Sequence, residues 1–133
     1  MFYNCIITKE ADDFFVVSFP DLPNVTTYGF NKEHALRMAK EALNGVLETE
    51  YDYYHPINKP AYKGGFAIEV EPRIAFAIEL RNARAERTQE EVAKDLGMSY
   101  QQYQRLEDPK KTNPTLKTIY KIQNILNHKF LRI

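Results

Sequence analysis

The chain has 133 residues, of which 44% are hydrophobic and 27% are charged, a composition that is typical of a soluble globular protein and excludes a disordered chain. Its apolar runs are far shorter than the roughly 20 residues that cross a bilayer, and Met1–Thr8 lacks the pattern of a signal peptide. Cys5 is the lone cysteine, so the chain can form neither an internal disulfide nor a thiolate cluster. The 18 basic and 18 acidic side chains cancel, so the chain as a whole has no general attraction to polyphosphate.

The neutral total hides two halves of opposite charge. Residues 1–72 contain six Lys and Arg against eleven Asp and Glu, a net charge of −5, whereas residues 73–133 contain twelve basic and seven acidic residues, a net charge of +5. Such an asymmetry indicates different partners for the two halves. We therefore expect two domains, residues 1–71 and residues 72–133. The boundary is predicted at Pro72, because proline disfavours helix in the residue before it and suits the first turn of a helix.

The acidic half begins with runs that predict strands. Phe2–Thr8 and Asp13–Phe19 are short and rich in β-branched and aromatic residues, and the polar turn Lys9–Asp12 between them predicts a hairpin. The alternation around Cys5 indicates a buried strand position rather than a reactive thiol. Prolines then precede a third strand, residues 25–28, and Asn24 in this turn is a residue type that tolerates a left-handed conformation.

One helix and a last strand complete the acidic half. Asn31 is a suitable N-cap, and apolar residues follow it at three- and four-residue spacing. This stripe comprises Leu36, Ala39, Leu43, Val46 and Leu47. Residues 51–65 are rich in turn formers, with Pro56 and Pro60, after which Phe66–Val70 alternates as a strand. The helix is predicted to cover one face of the sheet, so the half is a sheet-plus-helix domain.

The acidic half contains the run VVSFPDLPNVTTYG, the helical pattern EHALRMAKEALNGVLE and a Pro-rich segment that follows. Through these motifs, roughly residues 1–71 resemble the HicB family of antitoxins. The family usually has Gly, and often Cys after it, where this chain has Asn24 and Val25. The resemblance implies a compact domain with a partial RNase H-like fold, which folds over a small RNA-cleaving toxin of the HicA type.

A relation to RNase H also raises the alternative of a metal-dependent nuclease, because enzymes of that fold hold metal ions with several acidic side chains. The candidates are Asp12, Asp13, Asp21 and Asp52. Asp12 and Asp13 fall in a hairpin turn and Asp21 lies between two prolines, so their spacing does not bring them together from adjacent strands. The sequence therefore predicts a protein that is not an enzyme and has no catalytic residues, cofactor or metal site.

The basic half has the spacing of a helix-turn-helix. Counted from Gln89 as the first helical residue, the fifth position needs a small side chain where two helices approach, and the ninth needs Gly where the turn has a positive φ. Ala93 and Gly97 stand at these positions. The shared core needs apolar residues at five further positions. These are Val92, Leu96, Met98, Tyr103 and Leu106.

Capping boxes predict where the two helices begin, with Thr88 and Glu91 before the first and Ser99 and Gln102 at the second. Once the apolar positions are turned inward, polar residues remain outside on the second helix. They are Tyr100, Gln101, Gln104 and Arg105. Gln and Arg make the bidentate contacts that distinguish adenine and guanine in the major groove. The alternative interpretation, a helical hairpin that only packs, predicts no such surface.

The runs TQEEVAKDLG and SYQQYQRLED are followed by a further predicted helix from Pro114 or Thr115. Through these segments, residues 74–126 resemble the lambda-repressor or Xre-like family of DNA-binding domains. The family often has Asn-Gly where this chain has Asp108-Pro109. The resemblance implies phosphate contact by Gln89 at the start of the first of the two helices. It also implies recognition-helix and backbone contacts by Ser99, Tyr100, Gln101, Arg105, Lys110 and Lys111. For the two lysines, simple solvation in a polar loop is an equal alternative.

Together the halves predict an α+β protein that is a cytoplasmic type II antitoxin, with no membrane partner. It is expected to neutralise a HicA-type mRNA-cleaving toxin and to repress its own operon by binding operator double-stranded DNA. The alternative is a stand-alone transcriptional repressor whose N-terminal domain senses a ligand or mediates oligomerisation. A homodimer or higher oligomer is expected, because one recognition helix reads only a few base pairs. The tail His128–Ile133 either pairs as a strand between subunits or folds onto its own helices.

Overall fold

The computed structural model describes residues 1–130, which form two compact units, one spanning Met1–Glu71 and the other beginning at Pro72. The first unit contains strands β1 (Phe2–Ala11), β2 (Phe14–Ser18), β3 (Thr26–Gly29) and β4 (Phe66–Glu69) and helix α1 (Lys32–Asp52). The second contains helices α2 (Pro72–Arg84), α3 (Gln89–Leu96), α4 (Tyr100–Leu106) and α5 (Leu116–Leu126). The α+β class predicted from the sequence is confirmed.

The strands of the first unit form one antiparallel sheet in the order β3-β2-β1-β4. The predicted hairpin pairs β1 with β2, with Ile7 opposite Val17. Strand β1 continues to Ala11, past the predicted end, and its register shifts near that point. The tight turn is therefore Asp12-Asp13 rather than the four residues from Lys9 that the sequence predicted.

Helix α1 covers one face of the sheet. Its buried residues are Ala35, Ala39, Leu43, Asn44, Leu47 and Tyr51. A Cβ atom on Gly29 of β3 would lie 2.5 Å from the Cα atom of Ala35, so the strand and the helix approach closely because position 29 has no side chain. The inward stripe follows a four-residue spacing, which turns Leu36 and Val46 of the predicted stripe to half-buried flanking positions.

Two successive turns link β2 to β3. The Leu22 amide donates to the Phe19 carbonyl at 3.0 Å, and the Val25 amide donates to the Leu22 carbonyl at 2.9 Å. Asn24 does not use the left-handed conformation that its residue type tolerates, since it is not among the residues of positive φ in the described chain. A turn closed by a hydrogen bond between residues i and i+3 needs no residue of positive φ when it is of type I.

The four helices of the second unit surround one apolar core. This core contains Leu80, Val92, Ala93, Leu96, Tyr103, Leu106 and Ile122, with Met98 packed at its edge. All of the apolar positions predicted for the helix-turn-helix therefore face inward. Thr115 caps α5 by accepting from the Thr118 amide at 3.2 Å. No helix among residues 1–130 is both long enough and apolar enough to span a membrane.

The described part of the C-terminal tail lies on its own unit. The Phe130 amide donates to the Gln123 side-chain oxygen at 2.8 Å, and the Phe130 ring lies 5.3 Å from the Phe76 ring. Up to Phe130 the tail thus follows the second of the two predicted alternatives, folding onto its own helices. The last three residues of the predicted tail contact, 131–133, lie outside the described residues.

Candidate nucleic-acid interface

A three-residue turn sets the geometry between α3 and α4. Gly97 ends α3 with a φ of 68°, and its amide donates to the Lys94 carbonyl at 3.0 Å. A Cβ atom there would meet its nearest neighbour, the Lys121 Nζ atom, at 3.6 Å, so the backbone conformation rather than space requires glycine. Ser99 then caps α4 with a complete capping box: its hydroxyl accepts from the Gln102 amide at 3.1 Å, and its amide donates to the Gln102 Oε1 atom at 2.8 Å.

Helix α4 presents one polar face to solvent. Tyr103 and Leu106 are buried in the core, and positions i, i+1, i+4 and i+5 of a helix share a side. The exposed residues on that side are Tyr100, Gln101, Gln104 and Arg105. The structure thus brings together the four predicted recognition residues on one accessible surface. Amide and guanidinium groups on such a surface have the donors and acceptors that match the base edges of a major groove.

Gln89 is held at the start of α3 rather than left free to move. Its side-chain Nε2 atom donates to the Glu107 Oε1 atom at 3.1 Å, and the residue is half-buried. Glu107 in turn accepts from Arg84 at the end of α2. The side chain at the predicted phosphate-contacting position is therefore fixed by a network that also ties α4 to α2.

The loop after α4 carries the paired lysines. Asp108 organises this loop: its Oδ1 atom accepts from the Lys110 amide at 2.9 Å, and its carbonyl accepts from the Lys111 and Thr112 amides at 3.0 and 2.8 Å. The Lys110 and Lys111 residues are both exposed. Asp108, which stands where the resembled family often has Asn, thus holds the loop by local hydrogen bonds.

Acidic side chains border the interface on α3. Glu90 and Glu91 occupy the first turn of this helix, where the positive end of the helix dipole favours negative charge. Asp95, further along α3, forms an ion pair with Arg87. The excess of positive charge in the second half is therefore not spread over α3. Exposed basic side chains instead stand on α4, at Arg105, and in the loop after it, at Lys110 and Lys111.

The acidic candidates of the first unit do not form a metal site. The Asp21 Oδ2 atom accepts from the backbone amides of Ala61 and Tyr62, both at 2.9 Å, and its carbonyl accepts from the Asn58 side chain at 3.0 Å. No group of three or more His, Cys, Asp or Glu residues within residues 1–130 could hold a metal ion. Asp21 of the FPDLP run instead anchors the Pro-rich segment that follows α1.

The same segment is fixed from the sheet by Tyr3. The Tyr3 hydroxyl donates to the Asn58 carbonyl at 2.7 Å. Burial of the phenol, with a contribution from the negative charge of Asp21, raises the pKa of Tyr3 to about 12. Burial also raises the pKa of Cys5, which is fully enclosed in β1. The interpretation of Cys5 as a buried strand residue is confirmed.

Sequence reasoning missed Glu107 and the role of Arg84 as its partner. Glu107 belongs to the run SYQQYQRLED, whereas Arg84 lies before both quoted runs. The available signal was the position of a carboxylate directly after the inward-facing Leu106, at the end of a helix. A buried carboxylate needs a cation, and an Arg in the last turn of a neighbouring helix is a suitable one.

Comparison with known proteins assigns each unit separately. Residues 3–71 match a family described as the HicB_like antitoxin of bacterial toxin-antitoxin systems, and residues 78–129 match a helix-turn-helix family. Antitoxin HicB 1 of Photorhabdus laumondii subsp. laumondii is 29% identical over 130 residues, covering 96% of this chain and 83% of that protein. Antitoxin HicB of Escherichia coli (strain K12) is 32% identical over 114 residues, covering 80% of each chain.

Proposed function

The chain belongs to the HicB-like antitoxin family and carries a helix-turn-helix DNA-binding domain, and from that premise we propose that it neutralises a HicA-type mRNA-cleaving toxin and represses its own operon. Residues 1–71 are proposed to bind the toxin, and residues 72–133 the operator. On this proposal the chain is a regulatory binding protein rather than an enzyme.

The observation that carries the proposal is that the chain divides in charge where it divides in fold. The sheet unit has a net charge close to −5 and the helical unit close to +5. An enzyme that grips RNA needs a positive surface, so an acidic domain is suited to cover it. A positive helical unit is suited to the phosphates of duplex DNA. One neutral chain then has two partners of opposite charge.

For the operator, α4 is proposed as the recognition helix in the major groove. Its Gln101, Gln104 and Arg105 side chains would contact base edges, and Tyr100 a sugar or a thymine methyl group. Contacts with the DNA backbone are proposed for Gln89, Ser99, Lys110 and Lys111. The support for these roles is the exposure of the α4 face and the fixed position of Gln89.

A homodimer or higher oligomer is part of the proposal. One seven-residue helix contacts only a few base pairs, and domains of this shape gain specificity by binding two half-sites about one helical turn apart. We therefore expect the operator to contain an inverted repeat, with one copy of the chain on each half.

The test uses the full chain together with its proposed toxin. We expect this toxin to be a short basic protein encoded by the neighbouring reading frame. Production of that protein alone should arrest growth, and co-production of this chain should restore it. Purified chain should retard its own promoter fragment in a gel, with affinity that falls steeply as salt rises. A double variant, Gln101→Ala with Arg105→Ala, should still restore growth but should lose specific retardation. If the neighbouring protein is harmless, or if growth is not restored while retardation persists, the chain is a stand-alone repressor instead.

A further inference from the structure

The face of the sheet opposite α1 is open and partly apolar. Side chains alternate between the two faces of a strand, and Cys5 and Val17 are buried on the α1 side. Their neighbours therefore point the other way. We define the open-face patch as Ile6, Phe14, Val16, Tyr28 and the adjoining Phe30, all of which are exposed except the half-buried Val16.

All of these residues except Ile6, which lies on the same face, form a continuous surface rather than scattered apolar groups. Val16 lies directly opposite Tyr28 across β2 and β3, and the Phe14 and Tyr28 rings lie 5.4 Å apart. The Tyr28 and Phe30 ring centroids are 6.2 Å apart, and Phe30 stacks on His34 at 5.1 Å. The solvent face of an antiparallel sheet is normally polar. A contiguous aromatic surface on it is typical of a site for a partner.

The charge beside the patch selects the kind of partner. Phe14 directly follows Asp12 and Asp13 in the β1–β2 turn, and Glu10 precedes them. The Asp12 side chain is fully exposed, and its ion pair with Lys9 is long, at 3.9 Å. A second copy of the chain would bring the same acidic turn against this one, and nucleic acid would bring phosphates, so both are disfavoured by like charge. A protein with an apolar and basic surface is favoured.

We propose that the open-face patch is the docking surface for the basic toxin, an inference that rests on the proposed function. The Phe14, Tyr28 and Phe30 rings are the apolar centre of the contact, and the acidic turn is its charged rim. Aromatic side chains contribute most of the affinity in such centres, whereas rim charges mainly raise the rate of association.

The experiment measures binding of the full chain to the neighbouring basic protein, purified in a catalytically inactive form. The double variant Phe14→Ser with Tyr28→Ser should bind at least about 30-fold more weakly. The matched control is Tyr53→Ser, which removes an aromatic ring that is 70% exposed at the end of α1, and it should bind as the wild type does. The double variant Asp12→Lys with Asp13→Lys should associate about 10-fold more slowly at low salt.

A further variant leaves every patch residue in place. Ser18 is exposed opposite Ile6 on the same face, so Ser18→Arg adds bulk and a positive charge there. It should weaken toxin binding at least about 10-fold, while Thr49→Arg on the outer side of α1 should not. Operator retardation should be unchanged in all of these variants.

The outcomes separate the two proposals. If the wild-type chain does not bind the basic protein, the proposed function fails. If the wild type binds and the Ser18→Arg and Phe14→Ser/Tyr28→Ser chains bind equally well, the docking surface is wrong and the proposed function stands. If these variants lower the mass of the free chain in light scattering without changing toxin affinity, the patch is covered by a second copy, which also overturns the inference.

Discussion

Arg84 and Glu107 form a bidentate ion pair inside the helical unit. The Arg84 Nε and Nη2 atoms donate to the two carboxylate oxygens of Glu107 at 2.7 and 3.0 Å, and Glu107 is only 4% exposed. Arg84 also donates to the Arg87 carbonyl at 2.8 Å, and Gln89 donates to Glu107. One carboxylate therefore links the end of α2, the start of α3 and the end of α4, and so positions α4, the proposed recognition helix.

Replacement of Glu107 with Ala should destabilise the helical unit by about 3 to 5 kcal/mol, because it removes the counter-charge of a mostly buried guanidinium. Urea unfolding followed by the helical circular dichroism signal measures this, and hydrogen exchange should accelerate in α3 and α4. In the background of Arg84→Met, the same replacement should cost much less, since the charge to be compensated is gone. Equal costs in the two backgrounds would show that the pair is not coupled.

Two residues at helix ends provide a matched test of backbone conformation. Ala85 has a φ of 52° and Gly97 a φ of 68°, a region that costs a residue with a Cβ atom roughly 1 kcal/mol or more. Ala85→Gly should therefore stabilise the helical unit by about 0.5 to 1 kcal/mol, and Gly97→Ala should destabilise it by about 1 to 2 kcal/mol. The midpoints of thermal unfolding should move in opposite directions. A loss of stability in Ala85→Gly would contradict the argument.

The local features of the fold could be predicted because their signals are local. The helix-turn-helix spacing, the cap at Ser99 and the glycine of positive φ at Gly97 each depend on residues within a few positions. The inward-facing positions of the helix-turn-helix itself, from Val92 to Leu106, are accordingly predicted. The exposed face of α4 could be predicted once its apolar residues were assigned to the core, since in a short helix the remaining polar residues must then face solvent.

The interactions that the sequence did not reveal join distant segments. Asp21 accepts from amides 40 and 41 positions later, and Arg84 contacts a residue 23 positions later. Residue type alone does not disclose such pairs. An aspartate in a turn, or an arginine on a helix, looks the same in the sequence whether or not it has a distant partner. The inward register of α1 is also predicted wrongly at Leu36 and Val46, since an apolar residue on the flank of a helix fits the same three- and four-residue spacing as one at its centre.

The phenol of Tyr3 makes the stability of the sheet unit depend on pH. Its pKa is raised from 10 to about 12 in the folded chain, so folding favours the neutral phenol. This contribution is complete below pH 10 and is lost as the pH rises to 12, by up to about 3 kcal/mol. Tyr3→Phe should lack this part of the alkaline loss, although at neutral pH it loses about 1 kcal/mol with the hydrogen bond to Asn58.

Urea unfolding of both proteins between pH 9 and 12 measures the difference, since the other titrating groups are common to both. Ultraviolet titration of tyrosinate provides the control. The wild-type chain should show one more late-titrating phenol than Tyr3→Phe. Parallel curves of stability against pH for the two chains would mean that Tyr3 ionises in the folded state as readily as in the unfolded state.

Arg105 offers a test of base readout that is separable from charge. On the proposed operator complex, its guanidinium makes a bidentate contact to a guanine edge, which a lysine ammonium cannot reproduce in the same planar geometry. Arg105→Ala should weaken operator binding by roughly 1 to 3 kcal/mol and relax the preference at one base position in each half-site. Arg105→Lys should keep the salt dependence of the wild type, because the positive charge remains, yet lose the same base preference.

Gel-shift titrations at two salt concentrations, against the operator and against fragments with each base pair changed, measure both quantities. If Arg105→Lys retains the base preference and Arg105→Ala loses only the salt dependence, Arg105 contacts phosphate, and the reading of the operator falls to Gln101 and Gln104.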